Sequence, residues 1–367
     1  MKDILLFLFF IISSFSITWG QNTIFRTEAL SDDIHTIQVN AGGNWQRQPV
    51  IELRSNDFIR INFDRLGDDS SNSLRYRIVN CNADWTQSSL SDIEFIDGFN
   101  NTLIEDYAYS INTSVHYTNF MFDLPNDRIR IKLSGNYAAE VFDEDDPSTV
   151  LMRACFSVLD PQVQIEGGVS SVTDIDSNRE HQQVSFFINY NNLSVRDVFS
   201  DLKVYVRQNN RLDNQKSLIK PTSVQGNKLV YDHNRNLIFE AGNEYRRFES
   251  VSYRYNGLNV QNTEYRRPNY YTNINPDKIR AKRVYSYDRD QNGRFVIRNA
   301  EAADSNTEAD YFITNFRLPA SDPFLEPIYI NGNFTDNTFD DRYLMVYDYD
   351  KAEYYGSVLL KQGAYNY

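Results

Sequence analysis

Phe58-Ile59-Arg60-Ile61-Asn62-Phe63 alternates apolar and polar side chains from Ile59 onward. Successive side chains of an extended chain point to opposite faces. The stretch therefore puts Ile59, Ile61 and Phe63 on one side and Arg60 and Asn62 on the other, as a half-buried antiparallel strand requires. The same period recurs nearby in Ile34-His35-Thr36-Ile37-Gln38-Val39, Val50-Ile51-Glu52-Leu53 and Leu74-Arg75-Tyr76-Arg77-Ile78-Val79. Further along it returns in Val184 to Tyr190, Leu202 to Arg207, Ile279 to Tyr287 and Arg294 to Arg298. Helical periodicity is scarce, and no fixed-period repeat links the runs. Gly, Pro, Asp and many of the 39 Asn fall between them, where turns need left-handed backbone. The fold expected is all-β, in tandem antiparallel β-sandwiches.

Two breaks divide the chain. Leu159-Asp160-Pro161 closes the run from Met152 to Val158, and the polar, Ala-rich stretch from Asn299 to Asp310 precedes the fresh run Tyr311 to Leu318. Residues 1–20 carry Lys2, an apolar run Ile4 to Ile12 and Gly20. That pattern reads as a signal peptide, too short for a membrane-spanning helix. The expected order is a signal peptide (1–20), an N-terminal sandwich (21–160), a second sandwich (161–305) and a short C-terminal β domain (306–367). Export makes the setting oxidising, so Cys81 and Cys155 have two open readings: a disulfide, or two buried free thiols.

Charge and spacing exclude several chemistries. With 50 acidic against 37 basic residues and a net charge of −13, the chain is a poor partner for phosphate backbones, so no nucleic acid is expected. Two cysteines and four scattered histidines offer no metal-ligand spacing, and no cofactor or metal is expected. Asp288-Arg289-Asp290-Gln291-Asn292-Gly293 imitates half a calcium loop, but Asn299 stands where the bidentate Glu belongs. Asn292-Gly293 reads better as a tight hairpin turn. The acidic run Asp143 to Asp146 reads as a solvated loop tip. No phosphate loop, nucleophile elbow or His-based nucleophile appears, so no catalytic residue and no small-molecule substrate are expected. Many of the runs are shorter than the ~9–11 residues of a membrane-barrel strand and several are polar on both faces, so the chain is not expected to span a membrane.

A family resemblance rests on Asn80-Cys81-Asn82-Ala83-Asp84-Trp85-Thr86-Gln87-Ser88, Gly98-Phe99, Ser110 to Thr113, His116-Tyr117-Thr118, Leu124-Pro125-Asn126 and Ser134-Gly135-Asn136-Tyr137. It continues in Gly242-Asn243-Glu244-Tyr245-Arg246-Arg247-Phe248 and Leu360 to Tyr367. These strings resemble the plug protein family of the type IX secretion system in Bacteroidota. The resemblance implies a non-enzymatic periplasmic protein, associated with the outer membrane, that closes the periplasmic end of the outer-membrane translocon barrel when it is idle. It also implies that family chains run on beyond residue 367, so this one is expected to be truncated. The segment Tyr329 to Asn337, with Met345-Val346-Tyr347 and Tyr354 to Leu360, is similar to the early-set sandwich of glycogen-binding modules. Asn337 there occupies the place of the stacking tryptophan. The full expectation is thus all-β, in tandem immunoglobulin-like/early-set antiparallel β-sandwich domains. The alternative function is an exported carbohydrate-binding or polysaccharide-handling protein.

Candidate partner contacts follow from the same strings: Asn82, Asp84, Trp85, Tyr117, Asn136, Tyr137, Glu244, Arg246 and Arg247. Each has a second reading inside the fold. Trp85 and Cys81 fit a core at a strand end, the Ser134–Tyr137 string fits a bend before a strand, and Arg246 and Arg247 fit internal ion pairs with Glu244.

Overall fold

The computed structural model describes residues 23–67, 73–281, 283, 285 and 287–367. The signal-peptide expectation for residues 1–20 lies outside them. Strands dominate the described residues, and the α-helical segments among them, Asp92–Phe95 and Ser305–Glu308, are one turn each.

The first body is a sandwich. One sheet runs Glu28–Ala29, Asp146–Leu159, Gly135–Asp143, Leu74–Cys81, Thr102–Leu103, with Val50–Glu52 parallel beside Asp146–Leu159. The other runs Ile34–Ala41, Ile59–Leu66, Tyr117–Leu124, Asp106–Tyr109. Ile59, Ile61 and Phe63 are fully buried between them, as the alternation demands. Tyr76 of one sheet stacks on Phe122 of the other at 4.3 Å, and Phe63 stacks on its cross-strand partner Phe120 at 5.3 Å. Each such buried ring or branched chain contributes about 1.5–3 kcal/mol.

The second body is smaller. Its main sheet runs Gln164–Ser170, His181–Asn189, Lys228–Tyr231, Ser223–Gln225, with Ile238–Glu240 also pairing His181–Asn189. A modest core of Ile188, Tyr190, Leu229, Tyr231 and Leu237 lies under it. Of the expected strand Leu202 to Arg207 only Val206–Arg207 forms.

The third body corrects the expected boundary at 305/306. Its large sheet runs Val260–Arg266, Asn269–Ile274, Tyr311–Pro319, Glu353–Lys361, Leu344–Asp348, Ile328–Tyr329. Tyr311–Pro319 therefore sits between a strand from before the break and one from after it. A three-stranded sheet joins Arg247–Glu249, Gly363–Asn366 and Phe295–Ile297. There Tyr365 lies stacked between Phe248 (5.0 Å) and Phe295 (5.5 Å). One hydrophobic cluster spans Phe248 to Tyr365, so residues 247–297 belong with 306–367. The polar stretch 299–310 misleads because its polarity serves docking: Thr307, Ala309 and Asp310 are buried. The run Ile279 to Tyr287 forms no strand in its described residues. Asn292 and Gly293 do take left-handed backbone (φ 53° and 81°), with a strand only on the C-terminal side.

The cysteines are both buried free thiols. Cys81 lies on Leu74–Cys81 and Cys155 on Asp146–Leu159, and Gly135–Asp143 runs between them. Strands sit ~4.7–4.9 Å apart, so two strands flanking a third are separated by about 9–10 Å, beyond the ~7 Å reach of a disulfide. The pairing reading is thereby replaced by the free-thiol one. Burial pushes the Cys81 thiol up to about 12 and raises that of Cys155 as well, which keeps both protonated and unreactive. Alkylation followed by mass spectrometry should label both cysteines in urea without a reductant and neither in the folded protein; a disulfide-linked peptide would contradict the strand order.

Candidate functional site

The outer face of Ile59–Leu66 is polar but not wet. Asn62, bonded to Asn119 across the sheet, is 7% exposed, and Asp64, met by Tyr311 and Lys361 of the third body, is 0% exposed. Asp64 accepts hydrogen bonds from Asn119 Nδ2 (2.7 Å), Tyr311 OH (2.6 Å) and Lys361 Nζ (2.7 Å). Lys361, 1% exposed along its side chain, also donates to Asn306 O at 2.6 Å and stands 4.0 Å over the Tyr117 ring. Burial lowers the Lys361 pKa and the adjoining Asp64 opposes that shift. Around this pair, Tyr117 OH donates to Ala309 O at 2.8 Å, Asp310 accepts from Ser114 N and Val115 N at 2.7 and 3.1 Å, and Ile111 N donates to Thr307 O. The first and third bodies are thus locked through a desolvated ion pair whose polar atoms are matched, the condition under which such a pair is tolerated.

Most of the candidate contacts serve the interior. Tyr117 belongs to this lock, 1% exposed. Tyr137 is fully buried, donates to Leu133 O at 2.7 Å and stacks on Phe156 at 5.6 Å. Trp85 is 6% exposed, in left-handed backbone (φ 65°), and packs with Phe25, Cys81, Ala138 and Cys155. These three are corrected from contact to core: their rings fill space between sheets or bodies. Asn136 bridges strand ends, donating to Asn82 O and accepting from Ser157 Oγ at 2.8 Å. Arg246 pairs with Asp277 at 2.8 Å and Arg247 with Asp288 at 3.0 Å, so neither uses Glu244. Glu244 accepts from Tyr285 OH instead. Both arginines lean on residues remote in sequence, which adjacency did not reveal.

Asn82 and Asp84 remain exposed, on the turn after Leu74–Cys81. Asn82 Nδ2 donates to Thr86 Oγ1 and Gln87 O, both at 3.1 Å, and Asp84 Oδ1 accepts from Thr86 Oγ1 at 2.7 Å. Thr86's hydroxyl and N–H hold the Asp84 carboxyl below its ordinary value. The turn is a stiff polar knuckle.

An exposed apolar patch in the first body was missed. Glu94 Oε2 accepts from Ser91 N at 2.7 Å and pins the turn Asp92–Phe95, which buries Phe95 and leaves Ile93 79% exposed. Asn100 Nδ2 ties back to Asp92 at 2.9 Å, bringing Phe99, 74% exposed, to the same region. Gly98, at φ 126°, passes so close to Arg128 that a Cβ would lie 2.0 Å from its carbonyl. Large apolar side chains this exposed mark contact surfaces when they cluster. The Ser91-x-x-Glu94 spacing was the readable signal.

The imitation calcium loop is taken up internally: Asp288 binds Arg247, and Asp290 accepts from Tyr245 N and Asn292 N. In the acidic run, Asp143 pairs with Arg65 at 2.9 Å and Glu144 with Arg75 at 2.5 Å. Among the described residues no group of three or more His, Cys, Asp or Glu is placed to hold a metal, and no helix is long and apolar enough to cross a membrane. In the segments similar to glycogen-binding modules, Phe334 packs edge-on against Tyr365 at 5.3 Å, and Tyr347 donates to Ala320 O at 2.9 Å.

Residues 34–160, nearly the whole first body, match the family described as the type 9 secretion system plug protein 1st domain. The chain belongs to the type 9 secretion system plug protein family. The plug-family fold is shared with a crystal structure of a hypothetical protein from Parabacteroides merdae ATCC 43184. That protein is 46% identical, with a TM-score of 0.91, over 94% of this chain and 87% of the other. Among curated proteins no match was found.

Two outcomes follow from the join between the bodies. Lys361→Met strands the Asp64 carboxylate without its cation and should destabilise the protein by about 3–5 kcal/mol in urea unfolding, with Asp64→Asn added in the same chain recovering part of the loss. At the same join Asp336 accepts from Ala29 N (3.4 Å), and burial pushes its carboxyl up to about 7, with Glu28 raising it and Arg342 and Arg26 opposing. A folded pKa above the unfolded one means that the folded chain holds a proton the unfolded chain releases. The stability is therefore fully present below the ordinary carboxylate value of 3.8 and lost as pH rises through about 7. The thermal midpoint should fall between pH 5 and pH 8, and Asp336→Asn should flatten that fall.

Proposed function

We propose that this chain is a non-enzymatic periplasmic plug that closes the periplasmic end of the type IX secretion translocon barrel in the outer membrane when the barrel is idle. The observation that carries this reading is the family match over residues 34–160, the body that also bears the exposed Ile93 and Phe99. A plug needs a stiff body, and close-packed sandwiches locked by a buried ion pair resist deformation. It must also leave again, which favours a modest contact with a small apolar centre and a polar rim over a broad apolar face. Ile93 and Phe99 supply such a centre, and the knuckle of Asn82 and Asp84 supplies fixed polar groups in the same body. The net charge of −13 gives the encounter a basic counterpart on the barrel.

The test is affinity purification of the tagged chain from detergent-solubilised envelopes. The translocon barrel should co-purify, less of it as ionic strength rises, and Ile93→Asp with Phe99→Asp should cut recovery at least tenfold while the thermal midpoint stays within a few degrees. Deleting the gene should admit large antibiotics through the envelope if no other component closes the pore. Full recovery of the translocon with the doubly substituted chain would remove the patch from the interface, and absence of the translocon from the wild-type eluate would sink the plug reading itself.

A further inference from the structure

The three bodies meet around a cavity of about 450 Å3, within the range of about 300–1,000 Å3 that small ligands occupy. Its wall draws on all of them: Trp45 and Trp85 from the first, Arg207 from the second, and Arg294, Asp336 and Asn337 from the third. Two of the residues that line it carry a buried polar atom without the partner that burial demands. Trp85 is 6% exposed, and its indole Nε1 has no hydrogen-bond partner among the described residues. An indole N–H can only donate, and buried donors nearly always find an acceptor. Asn337 Oδ1 is likewise a buried acceptor without a donor.

The guanidinium groups sharpen the chemistry. Arg207 lies 5.6 Å over the Trp85 ring and donates from Nε to Gln215 Oε1 at 2.6 Å, and no carboxylate among the described residues pairs with it. Burial lowers its pKa, as expected for a cation withdrawn from water without a counter-ion. Arg294 donates from Nη1 to Gln46 O at 2.8 Å and also has no carboxylate partner among the described residues. Two such cations on one cavity wall are unexpected in a chain of 50 acids and 37 bases.

We propose that this cavity binds a carboxylate-bearing ligand, the anion meeting Arg207 and Arg294 while the body of the ligand lies against the aromatic wall. A guanidinium stacked on a ring keeps its planar edge free, and that edge matches a carboxylate's two oxygens. Asp213, paired with Arg211, and Asp336 also line the cavity, so once Asp336 is ionised a doubly charged phosphate meets more repulsion than a singly charged carboxylate. Two sources share this chemistry: a free organic acid such as a sugar acid, and the carboxylate that ends a polypeptide. The inference uses no property of the translocon and stands apart from the plug reading.

The test uses the full chain carrying Trp19→Phe, in which the remaining tryptophans, Trp45 and Trp85, both line the cavity. Tryptophan emission is followed on titration with glucuronate and with N-acetyl-tyrosyl-glycine, against glucose and the dipeptide amide as neutral counterparts, and against inorganic phosphate. The expected result is a saturable change with one of the acids, at least tenfold weaker for its neutral counterpart. Arg207→Gln should weaken it at least tenfold, with Arg207→Lys failing to restore it. Saturation by glucuronate assigns a free acid, and saturation by the dipeptide assigns a chain terminus. Far-ultraviolet circular dichroism checks that the variants fold, and Arg294→Gln provides a second loss should Arg207→Gln not fold. Equal binding of neutral counterparts, undiminished binding by both variants, tighter binding of phosphate, or no saturable change up to about 10 mM of either acid would overturn the proposal.

Discussion

The architecture turns on a carboxylate and an ammonium that water does not reach. Asp64 and Lys361 are 0% and 1% exposed along their side chains, 297 residues apart in sequence and 2.7 Å apart in space. Buried alone, either charge would cost several kcal/mol, so the two faces can close on each other only with both charges present. Tyr311, Asn119, Asn306 and the ring of Tyr117 complete the shell. A sandwich face that alternation marks as solvent-facing thereby becomes an interface, specified by polar matching rather than by apolar area.

This explains what the sequence disclosed and what it hid. Alternation from Ile59 to Phe63 correctly divided a core face from a polar face, because side-chain direction in a strand is fixed by two-residue geometry. It could not tell that the polar face is covered, since an Asp beside water and an Asp beside a distant Lys look alike in one dimension. The stretch 299–310 failed for the same reason: its Asp and Asn residues suit a linker and suit a polar dock equally well. The strand pairs 269–274 with 311–319 and 247–249 with 363–366 join residues 42 and 117 positions apart (Tyr270 with Phe312, Phe248 with Tyr365), beyond any local pattern. Hence the all-β class was legible while the last domain boundary was not.

The candidate contacts show a similar division. Motif strings singled out Trp85, Tyr117 and Tyr137, and all three turned inward, because a ring at a strand end is a common way to close a sandwich. Asn82 and Asp84 stayed outside because their side-chain hydrogen bonds are local, within the turn that carries them. Ile93 and Phe99 reached the surface through a capping interaction and a glycine-enabled close approach, features of backbone geometry rather than of hydrophobic count.

The strand Gly363–Asn366, held between Arg247–Glu249 and Phe295–Ile297, also sets an order of events. A chain emerging from its N-terminus can assemble the first sandwich once residue 159 is out, since its strands lie between 28 and 159. The third cannot close until residue 366 follows, because Tyr365 is the ring on which Phe248 and Phe295 both stack. Through that interval Asp64 stays hydrated and uncommitted, so the acidic face stays soluble while Lys361 is still to arrive.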